Sequence, residues 1–224
     1  MTFFKAIEKD EINFLGEGLN IRNDCQTGTW KMNTSPLTKK PIEIVILETD
    51  TLEGNFYADA EPTLWKQIWF VAAPNEKEIP QNVVCYTVVK TESLSNFEQA
   101  MILAQVNYKS KFDFIVECSF ESRSYSSPDG KNGQYYAVTF NVRERNDSEK
   151  AQIKILEKFM SKTPKFSNQE LKQRFKSVAK EKAFLEESMP TKYITAHVRD
   201  GYYSAADPYF GEEDDELKVA AKGK

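Results

Sequence analysis

Apolar and polar positions alternate most regularly between residues 41 and 145. PIEIVILE (41–48) sets Ile42, Ile44 and Ile46 against Glu43, Val45 and Leu47 and is rich in β-branched residues, which predicts a strand with most of both faces covered. A second strand is expected around residues 64–72. After the turn residues of PNEKEIPQN comes a third, VVCYTVVK (83–90), the three forming an antiparallel meander. The period then changes: in SNFEQAMILAQV, Ser95 and Glu98 have capping-box spacing and Phe97, Ala100, Met101 and Ala104 share one helical face, predicting a helix of about three turns. Two more strands follow. One places Phe114, Val116, Cys118 and Phe120 inward against Glu117, Ser119 and Glu121, and the other places Tyr136, Val138, Phe140 and Val142 on one side. SSPDGKNG between them reads as a hairpin loop.

The order strand, strand, strand, helix, strand, strand is the connectivity of the OB-fold. The predicted fold is therefore mainly β with helices: a five-stranded OB-like barrel with a helix between strands three and four. The barrel is assigned to residues 28–146, after an N-terminal extension (1–27); the first forty residues are poorly patterned, with a short strand signal at GTWKMN (28–33). A helical extension (147–188) follows. Ile153, Leu156 and Met160 form one stripe, stopped at Thr163-Pro164, and Leu171, Phe175, Val178 and Leu185 form another behind the Ser167/Glu170 capping box. Residues 189–224 lack a sustained period and are expected to be a flexible acidic tail.

Within WKQIWFVAAP, an extended strand points Trp65, Gln67 and Trp69 to one side and Lys66, Ile68 and Phe70 to the other. At least one bulky aromatic would then face away from a one-sided core. Aromatics interleaved with cations suit single-stranded nucleic acid, because a stacked base gains roughly 1–3 kcal/mol whatever its identity while Lys or Arg meets the phosphate. The candidate nucleic-acid-binding residues are Trp30, Trp65, Lys66, Trp69, Phe70, Tyr86, Lys90, Arg123, Tyr125, Lys131, Tyr135 and Arg143. Some of these rings must instead fill the core.

Charge adds a second feature. The chain carries a net −4, yet residues 200–217 hold seven acids and no base, leaving +3 on the rest. The acidic segment is preceded by a mildly basic block over 163–199. Composition, at 40% hydrophobic and 29% charged, is that of a globular protein. No stretch nears the roughly 18 apolar residues of a membrane span and the N-terminus lacks the apolar core of a signal peptide, so a cytoplasmic protein with no membrane contact is expected. Cys25, Cys85 and Cys118 have no CxxC spacing, and His197 is the one histidine, so neither a disulfide scaffold, a metal site nor a cofactor is expected.

Nucleotide-binding, serine-hydrolase and zinc-protease motifs are missing from the sequence, and the reading is non-catalytic. Asp113, Glu117 and Glu121 offer a metal-dependent nuclease as a distant alternative, although outward acids on a strand are ordinarily solvated.

A barrel followed by DGYYSAADPYFGEEDDELK resembles the single-stranded DNA-binding proteins of bacteria, phages and plasmids in architecture, without a shared specific motif. Two features depart from that family: VAAKGK follows the acids, and helices replace much of the expected linker. The resemblance implies binding of single-stranded DNA, with RNA not distinguished, in replication or recombination. It also implies recruitment of partner proteins by a tail comprising Asp207, Tyr209, Phe210, Glu212, Glu213, Asp214, Asp215 and Glu216. The post-barrel helices leave room for a homo-oligomer. The alternative is a protein-interaction or assembly module built on the same barrel.

Overall fold

The computed structural model describes residues 11–14, 16, 18–54, 63–126, 132–163, 165 and 166. Its elements are β1 (Leu19–Asp24), β2 (Thr29–Met32), β3 (Ser35–Thr38), β4 (Ile42–Gly54), β5 (Thr63–Ala72), β6 (Cys85–Lys90), α1 (Thr91–Asn107), β7 (Phe114–Ser126), β8 (Asn132–Glu144) and α2 (Ala151–Lys162). All eight strands join one sheet in the order β3-β2-β1-β6-β5-β4-β7-β8. The five-stranded OB barrel is therefore overturned: the fold is a mixed, curled half-barrel sheet in which three strands precede the expected first one. β1 belongs to this sheet although it lies in the stretch read as an N-terminal extension.

Pairing explains why the sheet does not close as a small barrel. β1 runs parallel to β6, with Leu19 opposite Cys85 and Asn20 opposite Tyr86, so the β1-β2-β3 meander continues the sheet beyond the edge at which a five-stranded barrel would seal. Only two residue pairs make this junction. Asn23 reinforces it by donating to Thr87 Oγ1 at 3.1 Å and to the Val88 carbonyl at 2.7 Å. The other edge curls back toward the first hairpin. The Tyr136 N–H of β8 donates to the Cys25 carbonyl at 2.7 Å, and the Tyr136 ring lies against Gly28, whose φ of 60° and bare Cα permit the approach. A Cβ there would sit 2.9 Å from Tyr136 Cδ1.

The sheet is covered on both faces, and this determines which side chains are hidden. On the inner face, Ile42, Ile44 and Ile46 of β4, Ile68 and Phe70 of β5 and Val138 and Phe140 of β8 pack with Leu94, Phe97, Ala100 and Ala104 of α1. On the outer face, Val45, Leu47, Trp69, Val71, Tyr86 and Ile115 pack with Leu156 of α2, Phe112 and Phe166. Burial of each such large side chain contributes about 1.5–3 kcal/mol. β5 is covered on both sides, which explains its run of apolar residues and corrects the expectation of a one-sided core.

α1 begins at Thr91, four residues before Ser95, so the Ser95/Glu98 pair is not its cap. The early start has a tertiary reason. The Ser93 hydroxyl accepts the Val138 N–H at 2.9 Å, and the Asn96 amide donates to the Val138 carbonyl at 2.9 Å. The first turns of α1 thus occupy backbone groups along the β8 edge, which would otherwise invite another strand.

Candidate functional site

Most of the residues expected to bind a single strand are used inside this scaffold. Trp30, Trp65, Trp69, Phe70 and Tyr86 are all buried. Trp69 stacks on Phe166, with ring centroids 5.3 Å apart and planes at 21°, and meets Phe14 and Tyr86 on other sides. Trp65 donates its indole N–H to the Gly54 carbonyl at 3.1 Å and carries the Lys90 ammonium 4.7 Å over its ring. Trp30 packs on Phe120, centroids 4.8 Å apart. These rings do not form the exposed platform expected of them: Trp30 and Phe70 lie in the core that α1 enters, Trp69 and Tyr86 in the one closed by α2 and Phe166, and Trp65 is held by Gly54 and Lys90.

The cations are engaged as well. Lys66 donates to Thr51 Oγ1 at 2.8 Å and stands 3.8 Å from Glu98. Arg143 bridges Glu43 of β4 at 2.6 Å and Glu149, in the turn before α2, at 2.8 Å. The Glu149 carboxylate, fully buried, also accepts from Asn75 Nδ2 and the Asn146 N–H, and Arg143 holds it down to about pKa 2. Arg143 is thus a clamp between β8, β4 and α2. Burial lowers the pKa of its neighbour Arg145, which donates to the Phe112 and Glu149 carbonyls and to Gln152.

Arg123, Tyr125 and Tyr135 do come together on the β7-β8 ribbon. Arg123 pairs with Glu92 of α1 at 2.6 Å and with Glu121 at 2.7 Å, and the Tyr135 hydroxyl donates to Glu92 at 2.5 Å. The Tyr135 hydroxyl and the Arg123 guanidinium keep Glu92 below the usual carboxylate range. This cluster ties the ribbon to the start of α1. Tyr125 is 43% exposed, with its centroid 6.2 Å from that of Tyr135 and its ring lying against the bare Cα of Gly133 opposite. Lys131, the tail residues Asp207 to Glu216, the second post-barrel helix and His197 lie outside the described residues.

The nuclease alternative finds no assembled cluster. Asp113 accepts the Ser110 N–H at 2.8 Å and Glu121 is paired to Arg123. Among the described residues, no group of three His, Cys, Asp or Glu side chains is placed to hold a metal ion. Cys85 and Cys118 are buried free thiols, and burial pushes Cys85 up to about pKa 12. No described helix is long and apolar enough to cross a membrane.

A different surface is left open. On α1, Ile102 is 61% exposed, Leu103 62% and Val106 79%, opposite the Phe97, Ala100 and Ala104 face that enters the core. The sequence reading counted only the core-facing set, yet the signal was available. MILAQV places apolar residues around most of the helix, the pattern of a helix covered on more than one side.

No family model, curated protein or solved structure matches the chain.

Proposed function

We propose that the chain is a non-catalytic assembly module that docks a protein partner on the outer face of α1. The observation that carries this reading is the run Ile102, Leu103 and Val106, three aliphatic side chains exposed within little more than one helical turn. Scattered apolar residues are normal on a protein surface, but a contiguous patch on a rigid helix marks an interaction site. The mount is rigid: Phe97 and Ala104 lock the opposite face into the core, and Ser93, Asn96 and Glu92 fix the helix to β8 and the ribbon. The charged groups that cluster elsewhere, around Arg143 and Arg123, are tied to one another, as expected of structural clamps.

A photo-crosslinking residue placed at Leu103 or Val106 in cells tests this. Discrete protein adducts at these positions, and none at the exposed α2 residue Glu157, are expected; equal labelling at all three, or none, refutes the reading.

A second reading is favoured by Tyr125. A ring backed by a glycine, with 43% of the residue still exposed, is preorganised to stack a base, and single-stranded nucleic acid would then bind along the ribbon. Titration with oligo-dT at several salt concentrations tests it. Binding that weakens with salt and falls at least fivefold in Tyr125→Ala supports it, and undetectable binding at low salt removes it. In that case Asp207 to Glu216 would compete with the strand for the protein.

A further inference from the structure

We propose that the outward face of α2 is the seat of the chain's own acidic segment, residues 207–216, held there by Lys154, Lys158 and Lys162. The two sides of the helix differ sharply. Leu156 is buried and Ile153, Phe159 and Met160 are half-buried against the second core, whereas Lys154, Lys158 and Lys162 are exposed. Their spacing of four residues keeps the three lysines within about 80° of one another around the helix axis, on the side opposite Leu156.

Pairing sets this row apart from other cations of the fold. Lys31, Lys40 and Lys150 hold Asp24, Glu78 and Asp147 at 2.6, 2.8 and 2.8 Å. The three lysines of α2 pair with no acid among the described residues, and Glu157 is the one acid on the helix.

Charge, length and connection select the occupant. Residues 212–216 are five consecutive acids, inside a stretch, 200–217, that holds no base. Extended, the five span about 14 Å from first to last, and the lysine row spans about 12 Å along the helix axis, so the two match in length as well as in sign. Phe166, its ring centroid 5.3 Å from that of Trp69, fixes the chain four residues beyond the end of α2. The forty residues 167–206 are long enough to bring Asp207 back over the helix. Tethering raises the local concentration of the acids far above that of a free partner, so exposed ion pairs too weak to hold an outside peptide hold this segment. The contact is a salt-sensitive latch: a cationic partner that takes the acids uncovers the lysines, and an anionic partner that takes the lysines releases Tyr209 and Phe210.

Coupling with a water-soluble carbodiimide, which joins a carboxylate to an amine only where the two are in contact, tests the proposal on the full chain at low salt. Peptide mapping of the monomer band is expected to show amide links from residues 212–216 to Lys154, Lys158 or Lys162, about fivefold or more in excess of links to the exposed Lys39 and lost at high salt. Replacing the three together, Lys154→Gln, Lys158→Gln and Lys162→Gln, keeps a good helix former at each exposed position and should leave circular dichroism unchanged. In that variant the backbone amide resonances of residues 207–216 should move to those of a synthetic peptide of the same sequence. Links shared evenly between Lys39 and α2, or parent resonances that already equal those of the peptide, overturn the proposal. Links confined to a dimer band assign the seat to the segment of a second copy and overturn the internal arrangement. A chain without links that binds heparin, and loses that binding in the triple variant, gives the face to an outside polyanion and likewise overturns it.

Discussion

Replacing Glu149 by Gln keeps the shape of the side chain and removes the charge that Arg143 holds. The native carboxylate accepts Arg143 Nη1 at 2.9 Å and Nη2 at 2.8 Å, Asn75 Nδ2 at 3.1 Å and the Asn146 N–H at 2.9 Å, with no surface exposed. A carboxyl whose pKa falls from 4.5 to about 2 on folding contributes about 3 kcal/mol near neutrality, at 1.36 kcal/mol per unit. Because the Arg143 side chain is 35% exposed, water screens the pair, and about 2 kcal/mol is the better figure. The sign follows from the direction of the shift. The unfolded carboxyl takes up its proton first, so the stabilisation is complete above about pH 5 and is lost as pH falls through 4.5 toward 2. Urea unfolding at pH 7, 5, 4 and 3 measures it. Glu149→Gln is expected to be about 2 kcal/mol less stable than the parent at pH 7, a gap that narrows to about half at pH 3 as the unfolded parent takes up its proton. Arg143 retains Glu43 at 2.6 Å in the variant, so the loss should not reach the 3 to 5 kcal/mol of a fully stranded buried charge. A gap that stays the same from pH 7 to pH 3 would refute the electrostatic account and leave packing as the cause.

Gln67→Met should stabilise the chain by about 1 kcal/mol or more in urea unfolding, because both amide atoms of the buried Gln67 lack a hydrogen-bond partner and the substitution removes that desolvation cost at similar volume. Trp69→Ala is expected to cost about 3 to 5 kcal/mol and to remove a blue-shifted fluorescence component that acrylamide quenches poorly; a cost below 1 kcal/mol would show that the ring is not the core residue described. Gly133→Ala places a methyl against the Tyr125 ring, so the Tyr125 ring-proton resonances should move while unfolding free energy changes by no more than about 1 kcal/mol. Unmoved resonances would mean that the ring does not rest on Gly133.

How much of this protein its sequence determines follows from the range of the physics involved. Alternation is local, so the first half of β4, the spans of β7 and β8 and the core face of α1 were legible from the residues alone: Ile42, Ile44 and Ile46, Val116 and Cys118, and Phe97, Ala100 and Ala104 enter the core as their spacing requires, whereas the continuation of β4 to Gly54 was not. Period cannot tell how many strands share a sheet. The parallel junction of β1 with β6 joins residues about 65 positions apart through two pairs, too little signal to see in LNIRND, and it turned an expected small barrel into an open eight-stranded half-barrel. The start of α1 escaped for a similar reason: Ser93 and Asn96 are claimed by Val138, more than 40 residues away. The same limit applies to the candidate site. Alternation placed Trp65 and Trp69 on one side of β5, but whether Trp69 meets water depends on α2 and on Phe166, about 100 residues later, and Trp65 is instead engaged by Gly54 and Lys90. Likewise Arg143 could be a phosphate contact or a clamp, and only the approach of Glu43, 100 residues away, made it a clamp. The exposed stripe of α1 lies between these cases: the sequence supplied its apolar residues, and the packing of the opposite face decided that these were the ones left outside.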